Sequence, residues 1–176
     1  MTPRRIFVVG HMGTGKYIFT EALAKQLGWE IVDANPSIER YIGRLTKDIL
    51  GEQGEAAFNR SQADIISHSL NRNNVVVLLE ECAVNSLDCR KLLSDEYVVY
   101  LKATIPTQLG RMKNGRIPSL PDDMESLLTK QHEERDAFFE EVATLIVESE
   151  GFSDDKSVIK QIVDKDVGQV LRALGK

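Results

Sequence analysis

Short apolar runs rich in β-branched residues alternate along the chain with longer stretches whose apolar residues recur at helical spacing. This alternation predicts parallel strands connected by helices that cover both faces of a sheet. The last helix is predicted from about Lys156 to Leu174, where Val163, Val167 and Val170 share one face. We therefore predict a three-layer α/β/α fold with a five-stranded parallel sheet, whose strands are the runs RIFVVG, EIVDA, VVVLLE, YVVYLKA and TLIVES.

The segments that follow the predicted strands are the expected place of a binding site, because ligands in such sheets bind at the carboxyl ends of strands. These segments are residues 10–17, 33–35 and 80–82, and the residues after Ala103. A polar stretch with glycine and prolines, residues 112–123, lies between two helical patterns. We predict that this stretch is a lid.

Composition narrows the class of protein. A chain of 176 residues that is 42% hydrophobic can bury one core, and we expect a single domain over residues 1–176. The net charge of -5 argues against a nucleic-acid-binding surface. The chain has no apolar stretch long enough for a membrane span, no secretory signal at its start and no cysteine framework around Cys82 and Cys89. We expect a cytoplasmic monomer with reduced thiols.

The stretch GHMGTGKY, residues 10–17, has the GxxxxGK spacing of a phosphate-binding loop directly behind the first predicted strand. Its glycines allow the backbone N–H groups to turn inward, and Lys16 can reach the terminal phosphates of a nucleotide. The alternative is a glycine-rich turn that only joins a strand to a helix. The predicted nucleotide-binding residues of the loop are Gly10, Gly13, Thr14, Gly15, Lys16 and Tyr17.

Tyr17 is an unusual residue at the position after the lysine, where a serine or threonine ordinarily gives Mg²⁺ a short hydroxyl ligand. The phenolic oxygen of a tyrosine lies several ångströms farther from the backbone. It cannot replace that ligand without moving the metal or turning away. The motif therefore predicts ATP as the cofactor and an impaired magnesium site.

Histidines and cysteines supply few further candidates. His11 lies inside the loop and is interpreted as a loop filler rather than a catalytic base. His68 and His132 lie on predicted helices without ligand-type partners at helical spacing, which argues against a zinc site. Two glutamates precede Cys82, so the pKa of its thiol should be raised, which argues against a reactive thiolate.

From the first strand to about Ser149, the order of motifs resembles that of the shikimate kinases, small kinases that phosphorylate a hydroxyl of a cyclic carboxylic acid. The resemblance implies the P-loop kinase fold, with a nucleotide and a small-molecule acceptor as ligands. It does not by itself imply the activity, because one fold hosts many functions. The motifs that carry it are GHMGTGK, LAKQLGWEIVDANPSIERYIGR, GEAAFNRSQADII, VVYLKAT and EERDAFFEEVATLIVES.

For the nucleotide side, the resemblance implies that Lys16 contacts phosphate and that Asp33 faces both Mg²⁺ and the reacting hydroxyl. It also implies that Arg111 lies beside the adenine. Without the resemblance, Asp33 could equally cap the next helix. Arg116 is displaced by one place from the family's lid arginine. The predicted catalytic residues are Lys16, Asp33 and Arg116, and the predicted metal ligand is Asp33.

For the acceptor side, the chain departs from the family pattern. Asn35 replaces an acid, and Asn59 replaces an arginine that pairs with the substrate carboxylate. Glu80, Glu81 and a cysteine replace three glycines, and only Arg135 matches the second carboxylate-binding arginine. The predicted substrate-pocket residues are Asn35, Asn59, Glu80, Glu81 and Arg135.

Three hypotheses follow from these departures. The first is a non-catalytic or regulatory relative that binds ATP or another phosphate ligand, with Arg135 paired internally to Glu80 or Glu81. The second is an ATP-dependent phosphotransferase for a less anionic acceptor. The third is a shikimate kinase with compensating residues. The first is favoured, because losing one arginine from a desolvated carboxylate pair costs about 2–5 kcal/mol of binding free energy.

Overall fold

A computed structural model of the chain describes residues 3–33, 60–114 and 122–176. Its five strands are β1 (Arg5–Val9), β2 (Glu30–Asp33), β3 (Val75–Leu78), β4 (Tyr97–Lys102) and β5 (Leu145–Glu148). They form one sheet in the order β2-β3-β1-β4-β5, and every neighbouring pair is parallel.

The three central strands β1, β3 and β4 are buried at nearly every position because both faces of the sheet are covered there, whereas the edge strands β2 and β5 are partly exposed. In β1, Phe7 and Val9 belong to one buried cluster, whereas Ile6 and Val8 belong to another. Successive side chains of a strand point to opposite faces, so these two clusters lie on opposite sides of the sheet. Burial on both faces explains the continuous apolar runs of the sequence.

Helices form the outer two layers. They are α1 (Lys16–Leu27), α2 (the described helical residues 60–69), α3 (Leu87–Leu93), α4 (Ile105–Lys113), α5 (Met124–Val142) and α6 (Lys156–Ala173), with a short 3₁₀ turn at Ala83–Asn85. The cluster that contains Ile6 includes residues of α1 and α6. The cluster that contains Phe7 includes residues of α2, α3 and α5, so the fold has the three predicted layers.

The sheet register brings the carboxyl ends of three strands to one edge. Val8 of β1 lies beside Leu78 of β3, and Leu78 lies beside Asp33 of β2. The glycine-rich loop follows β1, and Glu80 lies two residues after the end of β3. The glycine-rich loop, Asp33 and Glu80, which belong to three of the segments predicted to line the binding site, therefore meet at this edge.

The structure confirms the five predicted strands and the last helix. The predicted lid over residues 112–123 stays a prediction, and its first two residues, Met112 and Lys113, belong to α4, where Met112 is buried with Met124 and Leu128. Residues 115–121 of that prediction lie outside the described part. Within the described ranges, no helix combines the length and the apolar character needed to cross a membrane.

Candidate functional site at the carboxyl edge of the sheet

The loop between β1 and α1 has a backbone that depends on glycine. Gly10 has a φ of 153°, and a Cβ there would lie 2.5 Å from the carbonyl oxygen of Leu101. Gly15, at the N-cap of α1, has a φ of 86°. Residues with a Cβ rarely adopt these conformations, so the glycines fix the shape of the loop. The loop leads into the N-terminus of α1, where backbone N–H groups and the helix dipole favour an anion.

Two side chains of the loop converge on the carbonyl oxygen of His11. Thr14 Oγ1 donates to it at 2.9 Å, and Lys16 Nζ donates to it at 2.8 Å. Thr14 is buried, which makes it part of the loop's internal structure. Because an ammonium group has three donors, Lys16 can keep this hydrogen bond and still face a phosphate group.

Tyr17 and Asp33 are the two residues on which the magnesium prediction depends. Tyr17 is the second residue of α1, and its side chain is 43% exposed. Asp33 ends β2 and is half buried. The structure brings Asp33 to the same edge as the loop, and its role as metal ligand or base stays a prediction.

Arg111 fastens the glycine-rich loop to the segment after β5. Its Nη1 donates to the carbonyl oxygen of Thr14, its Nε to that of Gly151 at 2.8 Å, and its Nη2 to Ser149 Oγ at 3.0 Å. Burial lowers the pKa of Arg111, and the charges of Asp166 and Glu150 oppose that shift. Arg111 therefore lies beside the loop, as expected of a nucleotide-binding residue, while its contact with adenine stays a prediction.

A hydrogen-bond network behind the loop was missed by the sequence analysis. Nε2 of His11 lies 2.6 Å from Oδ1 of Asp136, and Nδ1 of His132 lies 3.1 Å from Oδ2 of the same carboxylate. Nε2 of His132 lies 2.7 Å from Oε1 of Gln108, whose Nε2 donates to the carbonyl oxygen of Met12 at 2.7 Å. The network joins the loop to α4 and α5.

The expectation that His132 lacks a partner at helical spacing is wrong, because Asp136 lies one turn farther along α5. One ligand-type atom from each of His11, His132 and Asp136 lies within 4.8 Å of the others, so the three could in principle hold a metal ion. The two imidazole rings, however, stack at 3.9 Å with an interplanar angle of 27°. Nearly parallel stacked rings do not aim their lone pairs at one point, so the arrangement favours hydrogen bonding over metal ligation.

Burial sets the protonation state of this network. Burial lowers the pKa of His11 to about 4, with the hydrogen bond to Asp136 acting in the opposite direction. Burial acts to raise the pKa of Asp136, but the hydrogen bonds from His11 and His132 outweigh it and the pKa is lowered. Near neutral pH, His11 is therefore neutral and Asp136 is ionised. A neutral histidine whose Nε2 is already engaged fits a structural role better than that of a catalytic base.

On the acceptor side, Glu80, Glu81 and Cys82 are half buried beyond the end of β3. Burial raises the pKa of the Cys82 thiol, and the charges of Glu81 and Glu80 raise it further, whereas the charge of Arg135 acts to lower it. The prediction of a raised thiol pKa is confirmed. The structure thus brings Arg135 of α5 into the neighbourhood of these glutamates.

The hypothesis of an internal ion pair between Arg135 and Glu80 or Glu81 is wrong. Among the described residues, neither carboxylate lies within ion-pair distance of the guanidinium. Nε and Nη1 of Arg135 are buried, and within the described part of the chain they have no hydrogen-bond partner. Buried N–H groups without acceptors are costly, so Arg135 presents donors that a ligand could satisfy.

Three of the predicted site residues, Asn35, Asn59 and Arg116, lie outside the described residues. The others surround one edge of the sheet, in two groups. The nucleotide group is formed by the loop, Asp33 and Arg111, and the acceptor group by Glu80, Glu81 and Arg135.

Comparison with known proteins identifies the family. The sequence model of the shikimate kinases matches residues 12–167. The shikimate kinase of Halorhodospira halophila is 37% identical over 171 residues, covering 96% of this chain and 96% of that protein. The chain belongs to the shikimate kinase family. The shikimate kinase of Francisella philomiragia is 34% identical over 166 residues, covering 92% of each chain.

Solved structures of the family have the same fold. The shikimate kinase of Acinetobacter baumannii, solved in complex with shikimate, is similar with a TM-score of 0.71 at 26% identity, covering 96% of this chain and 95% of that one. The enzyme of Bacteroides thetaiotaomicron has a TM-score of 0.80 at 21% identity, with 98% of each chain covered, a likeness of fold. The resemblance drawn from the motifs, and the P-loop kinase fold that it implies, are confirmed.

Proposed function

We propose that this member of the shikimate kinase family binds ATP at its glycine-rich loop but does not phosphorylate shikimate at an enzymatic rate, and that it has a non-catalytic or regulatory role. The observation that carries this proposal is the pair Glu80 and Glu81, half buried in the neighbourhood of Arg135. Two like charges at ~4 Å repel by ~4 kcal/mol at the effective dielectric of a protein surface. A carboxylate substrate would meet that repulsion at the position where the family binds it.

The nucleotide side supports the first half of the proposal. Gly10 and Gly15 have the conformations that turn a loop around phosphates, and Lys16 follows at the start of α1. These residues fit the triphosphate of ATP, because backbone N–H groups, a helix N-terminus and a lysine are suited to phosphate oxygens.

The same residues do not fit an ordinary magnesium site. Tyr17 offers a distant phenol in place of the short hydroxyl at the first turn of α1, and its side chain is 43% exposed. Asp33 is the remaining candidate ligand at this edge among the predicted site residues. We therefore expect ATP to bind with little help from Mg²⁺.

Calorimetric titration with ATP, with and without Mg²⁺, tests this expectation. In unfolding experiments, ATP at a hundred times its dissociation constant should raise the free energy of unfolding by about 2.7 kcal/mol. The affinity of the unchanged protein should differ less than about threefold with and without Mg²⁺, whereas Tyr17→Ser should gain a Mg²⁺ dependence of about tenfold, since each ~1.4 kcal/mol of binding is a factor of ten. A strong Mg²⁺ dependence in the unchanged protein would contradict the proposal for this site.

A second candidate function is an ATP-dependent phosphotransferase for a small, less anionic hydroxyl compound. It is favoured by Arg135, whose Nε and Nη1 are buried and have no acceptor within the described residues. A polar acceptor molecule could accept hydrogen bonds from this guanidinium without placing a full negative charge beside Glu80 and Glu81. ADP release with a panel of neutral polyols and sugars tests this function. A rate above the ATP-only background, lost in Arg135→Met, would favour it over the non-catalytic role.

A further inference from the structure

The hydrogen-bond donors and acceptors in the network of His11, His132 and Asp136 determine which ring nitrogens carry hydrogen. The carbonyl oxygen of Met12 can only accept a hydrogen bond. Gln108 must therefore direct its Nε2 group to Met12, at 2.7 Å, and its Oε1 to His132. Because Oε1 of Gln108 is an acceptor, Nε2 of His132 must carry hydrogen.

The carboxylate of Asp136 supplies the second constraint. An ionised carboxylate has only acceptors, and its Oδ2 faces Nδ1 of His132 at 3.1 Å. Nδ1 of His132 must then carry hydrogen as well, which makes the ring an imidazolium. Oδ1 accepts from Nε2 of His11 at 2.6 Å and from the Tyr100 hydroxyl at 3.2 Å. With these protonation states, each of the hydrogen bonds named above joins a donor to an acceptor.

We propose that His132 and Asp136 are positioning residues, an imidazolium–carboxylate pair on α5 that holds the glycine-rich loop in its phosphate-binding shape. The pair holds the loop at two points. Asp136 accepts from the His11 side chain, and His132 acts through Gln108 on the carbonyl group of Met12. The effect on nucleotide affinity rests on the proposed ATP binding, whereas the protonation of the pair does not.

The contacts explain how this pair acts on the residue that meets the phosphates. The carbonyl oxygen of His11 is the acceptor for both Lys16 Nζ and Thr14 Oγ1. Fixing the His11 ring against Asp136 therefore fixes the oxygen on which Lys16 is anchored. Asp136 directly follows Arg135 on α5. The same helix therefore carries the carboxylate that holds the loop and the buried N–H groups of Arg135 on the substrate side of the site.

Nuclear magnetic resonance of the three histidine side chains tests the assignment in the unchanged protein. Two-bond ¹H–¹⁵N spectra at pH 7 should show His132 protonated on both nitrogens and His11 protonated on Nε2 only. The signals are assigned by their loss in His132→Gln and His11→Gln. A nitrogen of His132 without hydrogen at pH 7 would overturn the proposal. Loss of both ring signals into a Zn²⁺ complex at micromolar Zn²⁺ would overturn it as well.

ATP titration of matched variants tests the positioning role. Asp136→Asn keeps the shape but leaves one acceptor oxygen for two imidazole donors, and should weaken ATP binding roughly tenfold or more, the value of a charged hydrogen bond. The control Glu133→Gln makes the same change at an exposed site on α5 and should stay within about twofold of the unchanged protein. Equal affinities for the two variants would overturn the proposal.

Two further outcomes have to be considered, a variant that does not fold and a protein that does not bind ATP. If Asp136→Asn does not fold, Gln108→Met removes the link to Met12 together with the acceptor of His132 Nε2 while leaving Asp136 in place, and an ATP affinity unchanged in that variant would overturn the proposal. If the unchanged protein binds no ATP, the proposed function fails. The histidine spectra then still decide whether the pair exists.

Discussion

At the scale of single residues, His11 shows how one side chain can serve a loop without facing the ligand. It is fully buried, stacks on His132 and lies edge-on to Phe139 at 4.8 Å between ring centroids. Its Nδ1 is buried and has no hydrogen-bond partner in the described residues. Such a ring is stable only as the neutral form, which agrees with the lowered pKa.

The stability of the fold should therefore depend on pH through His11. Its pKa is about 4 in the folded protein and 6.5 in an unfolded chain, so the unfolded state takes up a proton that the folded state does not. Stability should be complete above pH 6.5 and fall as the pH decreases from 6.5 to 4, by about 3 kcal/mol for a shift of this size. Urea unfolding at several pH values measures this slope.

His11→Gln should flatten that slope, because an amide can donate to Asp136 but does not titrate. His68→Gln is the matched control, since His68 is exposed on α2 and should leave the slope unchanged. An equally steep acid slope in His11→Gln would show that another group is responsible.

The contacts of His132, Asp136 and His11 differ in how far the sequence could predict them. His132 and Asp136 stand four positions apart, so their contact on one helix was predictable from spacing alone. Their contact with His11 joins residues 125 positions apart and needed the tertiary structure. The acidic stretch around Arg135 would ordinarily be a solvated helix face, but Arg135 and Asp136 are half buried, and Asp136 contacts His11 of the loop.

At the scale of elements, the connection from β5 to α6 is tied to the glycine-rich loop by one side chain. Arg111 of α4 bridges Thr14, Ser149 and Gly151 with three different nitrogen atoms. A guanidinium can span these acceptors because its donors form a fixed fork, whereas an ammonium group is a single point. The loop is thus held from α4 through Arg111 as well as from α5 through Asp136.

Arg111→Lys should lower the free energy of unfolding by about 2–3 kcal/mol, because buried acceptors lose their donors. It should also weaken ATP binding, since the Thr14 carbonyl is no longer fixed. Arg172→Lys makes the same change at an exposed site on α6 and should stay within about 0.5 kcal/mol of the unchanged protein. Equal unfolding free energies for the two variants would contradict the bridging role of Arg111.

Helices and strands were predicted correctly where burial of their side chains produces a recognisable pattern of apolar residues in the sequence. The central strands β1, β3 and β4 followed from continuous apolar runs because both of their faces are buried, and α6 followed from helical periodicity. The end of α4 was less evident from the sequence, because Met112 is one apolar residue in a polar stretch and its packing against α5 is a tertiary contact. A boundary between a helix and a polar segment has no comparable pattern to mark it.

At the scale of the whole molecule, the sheet gathers the two halves of the candidate site at one edge. The GxxxxGK spacing and the alternation of strands and helices were sufficient to predict that the glycine-rich loop and Asp33 lie at the carboxyl ends of strands. The half of the site predicted to bind the second substrate depends on how the charges of Glu80 and Glu81, which follow β3, are arranged around Arg135 of α5. The sequence suggested an ion pair there, whereas the structure leaves buried donors of Arg135 without an acceptor among the described residues.

We proposed that the chain binds ATP but does not phosphorylate shikimate at an enzymatic rate, and shikimate-dependent release of ADP decides whether that proposal holds. Purified protein with saturating ATP and Mg²⁺ and a fixed, sub-saturating concentration of shikimate is compared with the same mixture without shikimate. Losses of ~3 kcal/mol in binding and ~3 kcal/mol in transition-state stabilisation together lower the rate by about four powers of ten. We predict a shikimate-dependent rate below about 0.01 s⁻¹, and a rate of about 1 s⁻¹ or faster, typical of enzymes, would contradict the account.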